Sequence, residues 1–237
     1  MSDKESTPII LALDFADERT ALNLVDQLEP QLCKLKVGKE LFTRSGPQFV
    51  EQLIARGYDV FLDLKFHDIP NTVAGAIAIC ADLGVWMVNV HCSGGSRMLL
   101  AAKQELQKSG SETLLIGVTV LTSMAQEDLS EIGVNRSPEE QVVALAALAF
   151  ESGLDGIVCS GREAGVIRTK FGEEFLRVTP GIRPSVGNVS DDQRRTLTPR
   201  DALAGGSSYL VIGRPITAAE NPLAALLAIS QEIEEDV

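Results

Sequence analysis

Residues 60–91 read VFLDLKFHDIPNTVAGAIAICADLGVWMVNVH, and their pattern is the strongest indication of the architecture. It opens on an apolar run typical of a buried strand and continues through a segment of helical period that ends at Gly84. It then closes on a second apolar run. A strand–helix–strand unit of about thirty residues joins two parallel strands of one sheet. The stretch therefore predicts a parallel α/β architecture.

The same alternation recurs along the whole chain. The expected strands are Ile9–Asp14, Cys33–Gly38, Val60–Lys65, Trp86–His91, Leu114–Val120, Gly156–Ser160, Leu176–Thr179 and Tyr209–Gly213. The expected helices are Glu18–Leu28, Pro47–Arg56, Thr72–Leu83, Ser96–Lys108, Pro138–Ser152, Arg162–Phe171, Pro199–Ala204 and Pro222–Glu234. Eight such units without a Pro- or Ser-rich linker indicate an α/β protein with a single (β/α)8 TIM barrel domain over residues 1–237. The main alternative is a doubly wound open sheet, but its usual G-x-G-x-x-G is absent after the first strand.

Charge and composition narrow the classes of function. The 237 residues carry 21 Lys and Arg against 33 Asp and Glu, a formal net charge of −12. This balance argues against nucleic acid as the main partner, because neutralising phosphates requires a basic face. One local cluster of Lys and Arg would still suffice for a small phosphorylated ligand. We see neither a secretory signal nor an apolar run of about 18 residues, so we expect a cytoplasmic protein that does not span a membrane.

The cysteines and histidines form no metal-binding pattern. The four cysteines are scattered without a C-x-x-C pair, so we expect reduced core thiols. The two histidines, His67 and His91, are too far apart in sequence for a helical H-x-x-x-H site. We expect His91 to be a hydrogen-bonded residue at the edge of the core.

Charged residues cluster at the carboxyl ends of the predicted strands, where barrel enzymes carry out their chemistry. Strand 1 ends in Asp14 and strand 2 in Lys36, while Asp63 and Lys65 share one face at the end of strand 3. An isolated D-x-K pattern could be a structural salt bridge. Burying several charges costs more than apolar packing, however, so this cluster indicates a functional site. Lys34 lies one layer deeper, and we expect it to be structural.

The loop after strand 3 extends this cluster. Asp68 supplies a second carboxylate, and Pro70 stiffens the turn. We expect Asn71 or Thr72 to cap the following helix, a role that is compatible with ligand binding.

A phosphate site is expected where the last two strands end, as is common in α/β barrels. Gly213 permits close backbone approach, and Arg214 offers a planar, always charged guanidinium. After strand 7, Arg183 leads into the polar stretch 184–198, which we interpret as an active-site lid containing Gln193.

Together these residues resemble the orotidine 5′-phosphate decarboxylase family. The matching segments are LALDF at 11–15, KVGKELF at 36–42, DLKFHDIPNT at 63–72, VTVLTSM at 118–124, TPGIRP at 179–184, DQRR at 192–195 and VIGRPI at 211–216. They run in family order across nearly the whole chain, and DLKFHDIPNT is highly specific. The resemblance implies a TIM barrel that converts orotidine 5′-phosphate (OMP) to UMP and CO2 without metal or organic cofactor. It also implies a homodimer whose active sites are completed across the interface.

The resemblance further implies a role for each site residue. Lys65 would donate a proton to C6 of the pyrimidine as CO2 leaves, within a charge network formed with Lys36, Asp63 and Asp68. Asp68 and Thr72 would come from the other subunit. The remaining substrate contacts that it implies are Asp14 and Lys36 for the ribose hydroxyls, Thr122 with Ser123 beside it for the pyrimidine, and Arg183, Gln193, Gly213 and Arg214 for the phosphate.

The chemistry of the reaction agrees with this interpretation. Loss of CO2 from C6 leaves a carbanion in the ring plane, for which the pyrimidine π-system is a poor sink. The sequence shows no site for an electron-sink cofactor of the PLP or TPP type. Without such a cofactor, the means left to stabilise the carbanion are preorganised positive charge and a proton donor, and Lys65 can supply both.

Two alternatives stay open. One is a Mg²⁺-dependent barrel such as 3-keto-L-gulonate-6-phosphate decarboxylase or hexulose-phosphate synthase, which shares the D-x-K-x-x-D pattern. The extended FHDIPNT and Lys36 favour the pyrimidine enzyme over it. The other is a non-catalytic barrel that binds a nucleotide, and the complete Asp-Lys-Asp set argues against that.

Overall fold

A computed structural model of the chain describes residues 7–184 and 197–234. Eight parallel strands close into a barrel in chain order. They are β1 (Ile9–Ala12), β2 (Lys34–Gly38), β3 (Val60–Phe66), β4 (Met87–His91), β5 (Leu114–Val118), β6 (Gly156–Val158), β7 (Leu176–Pro180) and β8 (Tyr209–Ile212). The predicted (β/α)8 barrel and all eight predicted strands are confirmed. The prediction succeeds because strands that are apolar on both faces suit a parallel sheet covered by helices.

Helices follow the strands around the outside of the barrel. Within the described ranges they are α1 (Glu18–Val25), α2 (Lys39–Ala55), α3 (Pro70–Asp82), α4 (Ser96–Ser109), α5 (Gln126–Glu131), α6 (Pro138–Glu151), α7 (Gly161–Phe171), α8 (Pro199–Ala204), α9 (Arg214–Thr217) and α10 (Pro222–Glu234). All eight predicted helices are present, whereas the short α5 and α9 were not predicted. Among the described residues, no helix combines the length and apolar character that crossing a membrane requires.

The helix α2 differs from its prediction at its start. It begins at Lys39 instead of Pro47, and its path breaks at Gly46, which has a φ of +68°. The left-handed conformation of Gly46 interrupts the helix, and Pro47 then opens a second helical segment with its preset φ. The predicted boundary at Pro47 is therefore the start of this second segment.

The start of α3 corrects the predicted cap. The helix begins at Pro70, its N-cap is Ile69, and no side chain caps it. Pro70 occupies the first helical position, where its missing N–H is no loss, and this places Thr72 inside the first turn. Asp68 instead accepts a hydrogen bond from the Ile69 N–H (2.6 Å). The prediction that Asn71 or Thr72 caps this helix is wrong.

Apolar packing fills two layers, one inside the barrel and one between strands and helices. Ile10, Phe61 and Met87 point inward, whereas their strand neighbours pack outward beneath the helices. At the amino ends of the strands, Lys34 pairs with Asp59 at 2.6 Å, and its Nζ lies 4.5 Å from the centre of a Trp86 ring. This arrangement supports the structural role predicted for Lys34.

The four cysteines are free and buried, as the prediction of reduced core thiols requires. Burial raises the pKa of Cys33, Cys80 and Cys92 to about 12. Since the thiolate is the reactive form, these side chains behave as small apolar core residues.

Candidate active site

A cavity of about 290 Å³ opens at the carboxyl ends of the strands. Its apolar base includes Phe61, Val178 and Val211 from the inner layer of the barrel. The predicted site residues that line it are Asp14, Lys36, Asp63, Lys65, Thr122, Arg183, Gly213 and Arg214. Six of the eight strand ends contribute to this set, so the fold brings together residues that lie far apart in sequence.

Three predicted residues that the structure describes do not belong to this lining. Asp68 and Thr72 are exposed and lie outside the cavity of their own chain. Gln193 lies outside the described residues. Ser123, the less specific pyrimidine candidate, is exposed and is not part of the lining either.

Alternating charges cross one side of the cavity. Lys36 Nζ lies 3.1 Å from Asp14 Oδ1 and 3.5 Å from Asp63 Oδ2. Lys65 Nζ lies 2.5 Å from Asp63 Oδ1. The side chains of Lys36 and Asp63 are largely buried, whereas that of Asp14 is 68% exposed. Each buried charge therefore has an opposite charge beside it, as burial of ions requires.

Asp63 is the centre of this network. Burial by itself raises the pKa of its carboxyl group, but the charges of Lys36 and Lys65 oppose that effect. Hydrogen bonds from Lys65 and Asn89 lower the pKa further, and the net result is a pKa below the ordinary value of 3.8. Asp63 is therefore ionised at neutral pH and can hold the Lys65 ammonium in place.

Lys65 has an unusual backbone for a strand residue. Its φ is +54°, the one positive φ outside glycine among the described residues. The pairing of β3 with β4 is irregular at this point, since Leu62 pairs with Val88 and Phe66 pairs with Val90. A bulge of this kind redirects a side chain, and here it redirects that of Lys65. A left-handed conformation at a bulky residue persists only when its surroundings enforce it, and it is common at functional sites.

The interactions of Asn89 enforce this conformation, and Asn89 is not among the residues predicted from the sequence. Asn89 lies on β4, fully buried, with its side chain between Asp63 and the Lys65 backbone. A detectable signal existed, because Asn89 is a polar residue in an apolar strand. It also has the same period-2 phase as the inward-facing Met87.

The rim of the cavity at the ends of β7 and β8 carries the two predicted arginines. Arg214 follows β8 at the start of α9, and Arg183 follows β7. A Cβ added at Gly213 would face Ala12 and Asp14 at 3.5–3.7 Å, so glycine leaves this corner of the cavity open. The predicted lid starts and ends at this rim, because Ile182 forms a β-bridge with Leu197.

The two histidines lie beside the site. The ring centres of His67 and His91 are 5.6 Å apart. Burial lowers the pKa of His91, and the nearby His67, Lys39 and Lys65 lower it further. Within the described ranges, no group of three His, Cys, Asp or Glu side chains is arranged to hold a metal ion.

The fold and cavity define a class of protein, namely a (β/α)8 barrel with a charged cavity at the carboxyl ends of its strands. The sequence profile of the orotidine 5′-phosphate decarboxylase / HUMPS family matches residues 7–229. The chain belongs to this family.

Relatives and solved structures agree with this assignment. A protein of Nitrosococcus oceani named orotidine 5′-phosphate decarboxylase is 59% identical over 229 residues, covering 97% of this chain and 98% of that protein. A protein of the same name from Neisseria meningitidis is 56% identical over 228 residues, covering 96% of this chain and 93% of its own length. The crystal structure of orotidine 5′-phosphate decarboxylase from Lactobacillus acidophilus matches with a TM-score of 0.86. It is 39% identical and covers 96% of this chain and 99% of that one.

Proposed function

We propose that this chain decarboxylates OMP to UMP and CO2, the last step of de novo UMP biosynthesis, with Lys65 as the proton donor. The observation that carries the proposal is the network Asp14–Lys36–Asp63–Lys65 in a cavity that Arg214 also lines. The high identity to relatives named for this activity supports it.

The proposed step centres on Lys65. The bond between C6 and the carboxylate breaks, and its electron pair stays on C6. That pair takes a proton from the Lys65 ammonium, and the resulting amine regains a proton from solvent. Asp63 holds the ammonium through an ion pair of 2.5 Å, so the positive charge is in place before negative charge develops. Neither metal nor organic cofactor takes part in this proposal.

The rest of the nucleotide would provide binding energy away from the reacting carbon. Arg214 and Arg183 suit the phosphate, because a guanidinium can bind phosphate oxygens through two parallel hydrogen bonds. Asp14 and Lys36 would contact the ribose hydroxyls, and Thr122 the pyrimidine. Binding energy from a remote phosphate can be used to orient the substrate for reaction.

We further propose a cytoplasmic homodimer of single-domain chains in which Asp68 and Thr72 complete the site of the partner subunit. Both residues are exposed and lie outside the cavity of their own chain, so another molecule can reach them. Ile69 is 67% exposed and Ile79 is 59% exposed. These apolar side chains at the start of α3 and along it suit burial in an interface.

Turnover of OMP by the purified chain tests the proposed activity. We expect the OMP absorbance to fall as UMP forms, with the same rate in the presence and absence of EDTA. A wild-type protein that does not consume OMP would contradict the proposal. Loss of activity in EDTA with recovery on Mg²⁺ would favour the metal-dependent alternative.

Complementation between two inactive variants tests the shared site. Lys65→Ala and Asp68→Ala are each expected to be inactive alone. If Asp68 acts in the partner's site, a mixed dimer contains one intact site, and mixing restores up to about a quarter of the wild-type activity at random exchange. If Asp68 acts within its own chain, mixing restores nothing.

A further inference from the structure

Asn89 connects the two groups on which the proposed chemistry depends. Its Nδ2 donates a hydrogen bond to Asp63 Oδ1 (2.7 Å), the oxygen that also pairs with Lys65. Its Oδ1 accepts a hydrogen bond from the Lys65 backbone N–H (2.8 Å). One buried carboxamide thus contacts the side chain of Asp63 and the main chain of Lys65.

The irregular pairing of β3 and β4 explains why this contact is needed. Between the pairs Leu62–Val88 and Phe66–Val90, β3 has three residues opposite the single residue Asn89. The Lys65 N–H therefore lacks a regular ladder partner, and a buried donor without a partner is strongly unfavourable. The Asn89 side chain replaces the missing ladder bond and retains Lys65 in its left-handed conformation.

Asn89 acts at a distance from the ligand space. It does not line the cavity, whereas Asp63 and Lys65 do. Its effect on a bound molecule must therefore pass through these two residues. A rotation of the Asp63 carboxylate or a change at the Lys65 backbone would move the Lys65 ammonium away from the reacting carbon.

We propose that Asn89 is a positioning residue, which fixes the Asp63 carboxylate and the Lys65 backbone so that the Lys65 ammonium is aimed at the reacting carbon. This inference rests on the proposed decarboxylation. It requires a side chain that donates on one side and accepts on the other, and at this position asparagine does both.

Asparagine and aspartate have nearly the same shape, and this similarity makes the proposal testable. In Asn89→Asp, a carboxylate oxygen replaces Nδ2 against Asp63 Oδ1. Two carboxylates this close share one proton when they can, and the protonated pair reproduces the donor that Asn89 supplies. The other titratable groups around the pair are Lys36 on β2, Lys65 on β3 and His91 on β4. Activity of the variant should consequently depend on a proton that the wild type does not need.

The experiment measures kcat and KM for OMP in the wild type and in Asn89→Asp between about pH 5 and about pH 8. At the alkaline end we expect kcat of the variant to fall by about 100-fold or more, the size expected for a misplaced reacting group, with KM changed by less than about threefold. Toward pH 5 the ratio of variant to wild-type kcat should rise. A ratio that does not change with pH, or an effect confined to KM, would overturn the proposal.

Thr113→Val is the matched control. Thr113 is also a buried polar residue, but it donates to Val85 O (2.7 Å) near the amino ends of β4 and β5, away from the cavity. This variant should lose stability and keep the kcat and the pH profile of the wild type.

A second variant covers the case in which Asn89→Asp does not fold, as judged by circular dichroism. The Asn89→Ser side chain is too short to reach both partners, so kcat should fall at every pH while KM is retained. An unchanged kcat in folded Asn89→Ser would overturn the proposal. If instead the wild type does not consume OMP, the proposed function itself fails, which is a separate result.

Discussion

Replacing Asp63 with asparagine should destabilise the fold as well as stop turnover. The substitution keeps the side-chain shape but removes the negative charge that lies 2.5 Å from Lys65 Nζ and 3.5 Å from Lys36 Nζ. Removing one partner of a buried ion pair costs about 3–5 kcal/mol. The cost is smaller here because Lys36 keeps Asp14 at 3.1 Å and because water reaches a quarter of the Lys65 side chain. We expect the free energy of unfolding to fall by about 2 kcal/mol.

Urea unfolding measures this loss as a shift of the midpoint at unchanged m value. The matched control is Glu105→Gln, which removes the pair of Glu105 with the largely exposed Lys108 on α4. Such a pair contributes about 0.5 kcal/mol or less. An Asp63→Asn protein as stable as the wild type would show instead that the two lysines do not depend on Asp63 for their counter-charge.

Three other changes test separate parts of the structure. Arg214→Ala should lower kcat/KM for OMP by about 100-fold or more, because two charge-assisted hydrogen bonds to the phosphate are lost, and should leave any turnover of orotidine, which lacks the phosphate, unchanged. The pKa of His91 lies below its ordinary 6.5, so the unfolded chain takes up a proton first as the pH falls. Stability from the neutral, buried His91 is therefore complete above pH 6.5 and is lost as the pH falls below it. Between about pH 7 and about pH 5, the melting temperature of His91→Gln should fall less than that of the wild type. Gly117→Ala would drive a Cβ into Cys92 Sγ in the layer between the barrel and its helices, and chemical unfolding should show the free energy of unfolding lowered by about 1–3 kcal/mol with retained kcat.

The strands could be predicted because their signal is local. Each is a short apolar run followed by a segment of helical period, and eight repeats of this unit leave few architectures. The charged residues at the strand ends could be placed for the same reason, since parallel strands of a barrel end on one face. Asp14, Lys36, Asp63 and Lys65 accordingly come together although 51 positions separate the first from the last.

The features that sequence reasoning missed depend on contacts between strands. Asn89 matters because of a register shift against β3, and the composition of β4 alone does not reveal that shift. The cap expected at Asn71 or Thr72 was wrong because Pro70 takes the first helical position and moves the helix start toward the strand. The helix α5 has six residues, too few to show a clear hydrophobic period.

The turnover number of Lys65→Ala with OMP tests whether Lys65 is the proton donor. Losing both a general acid and a preorganised charge should lower kcat by about 10⁴-fold or more, while a UMP analogue still binds. Lys103→Ala provides the comparison, because Lys103 is a partly buried lysine paired with Asp155 (2.7 Å) outside the cavity, and its loss should leave kcat unchanged. A Lys65→Ala protein that decarboxylates OMP within about tenfold of the wild-type rate would contradict the assignment of Lys65 as the proton donor.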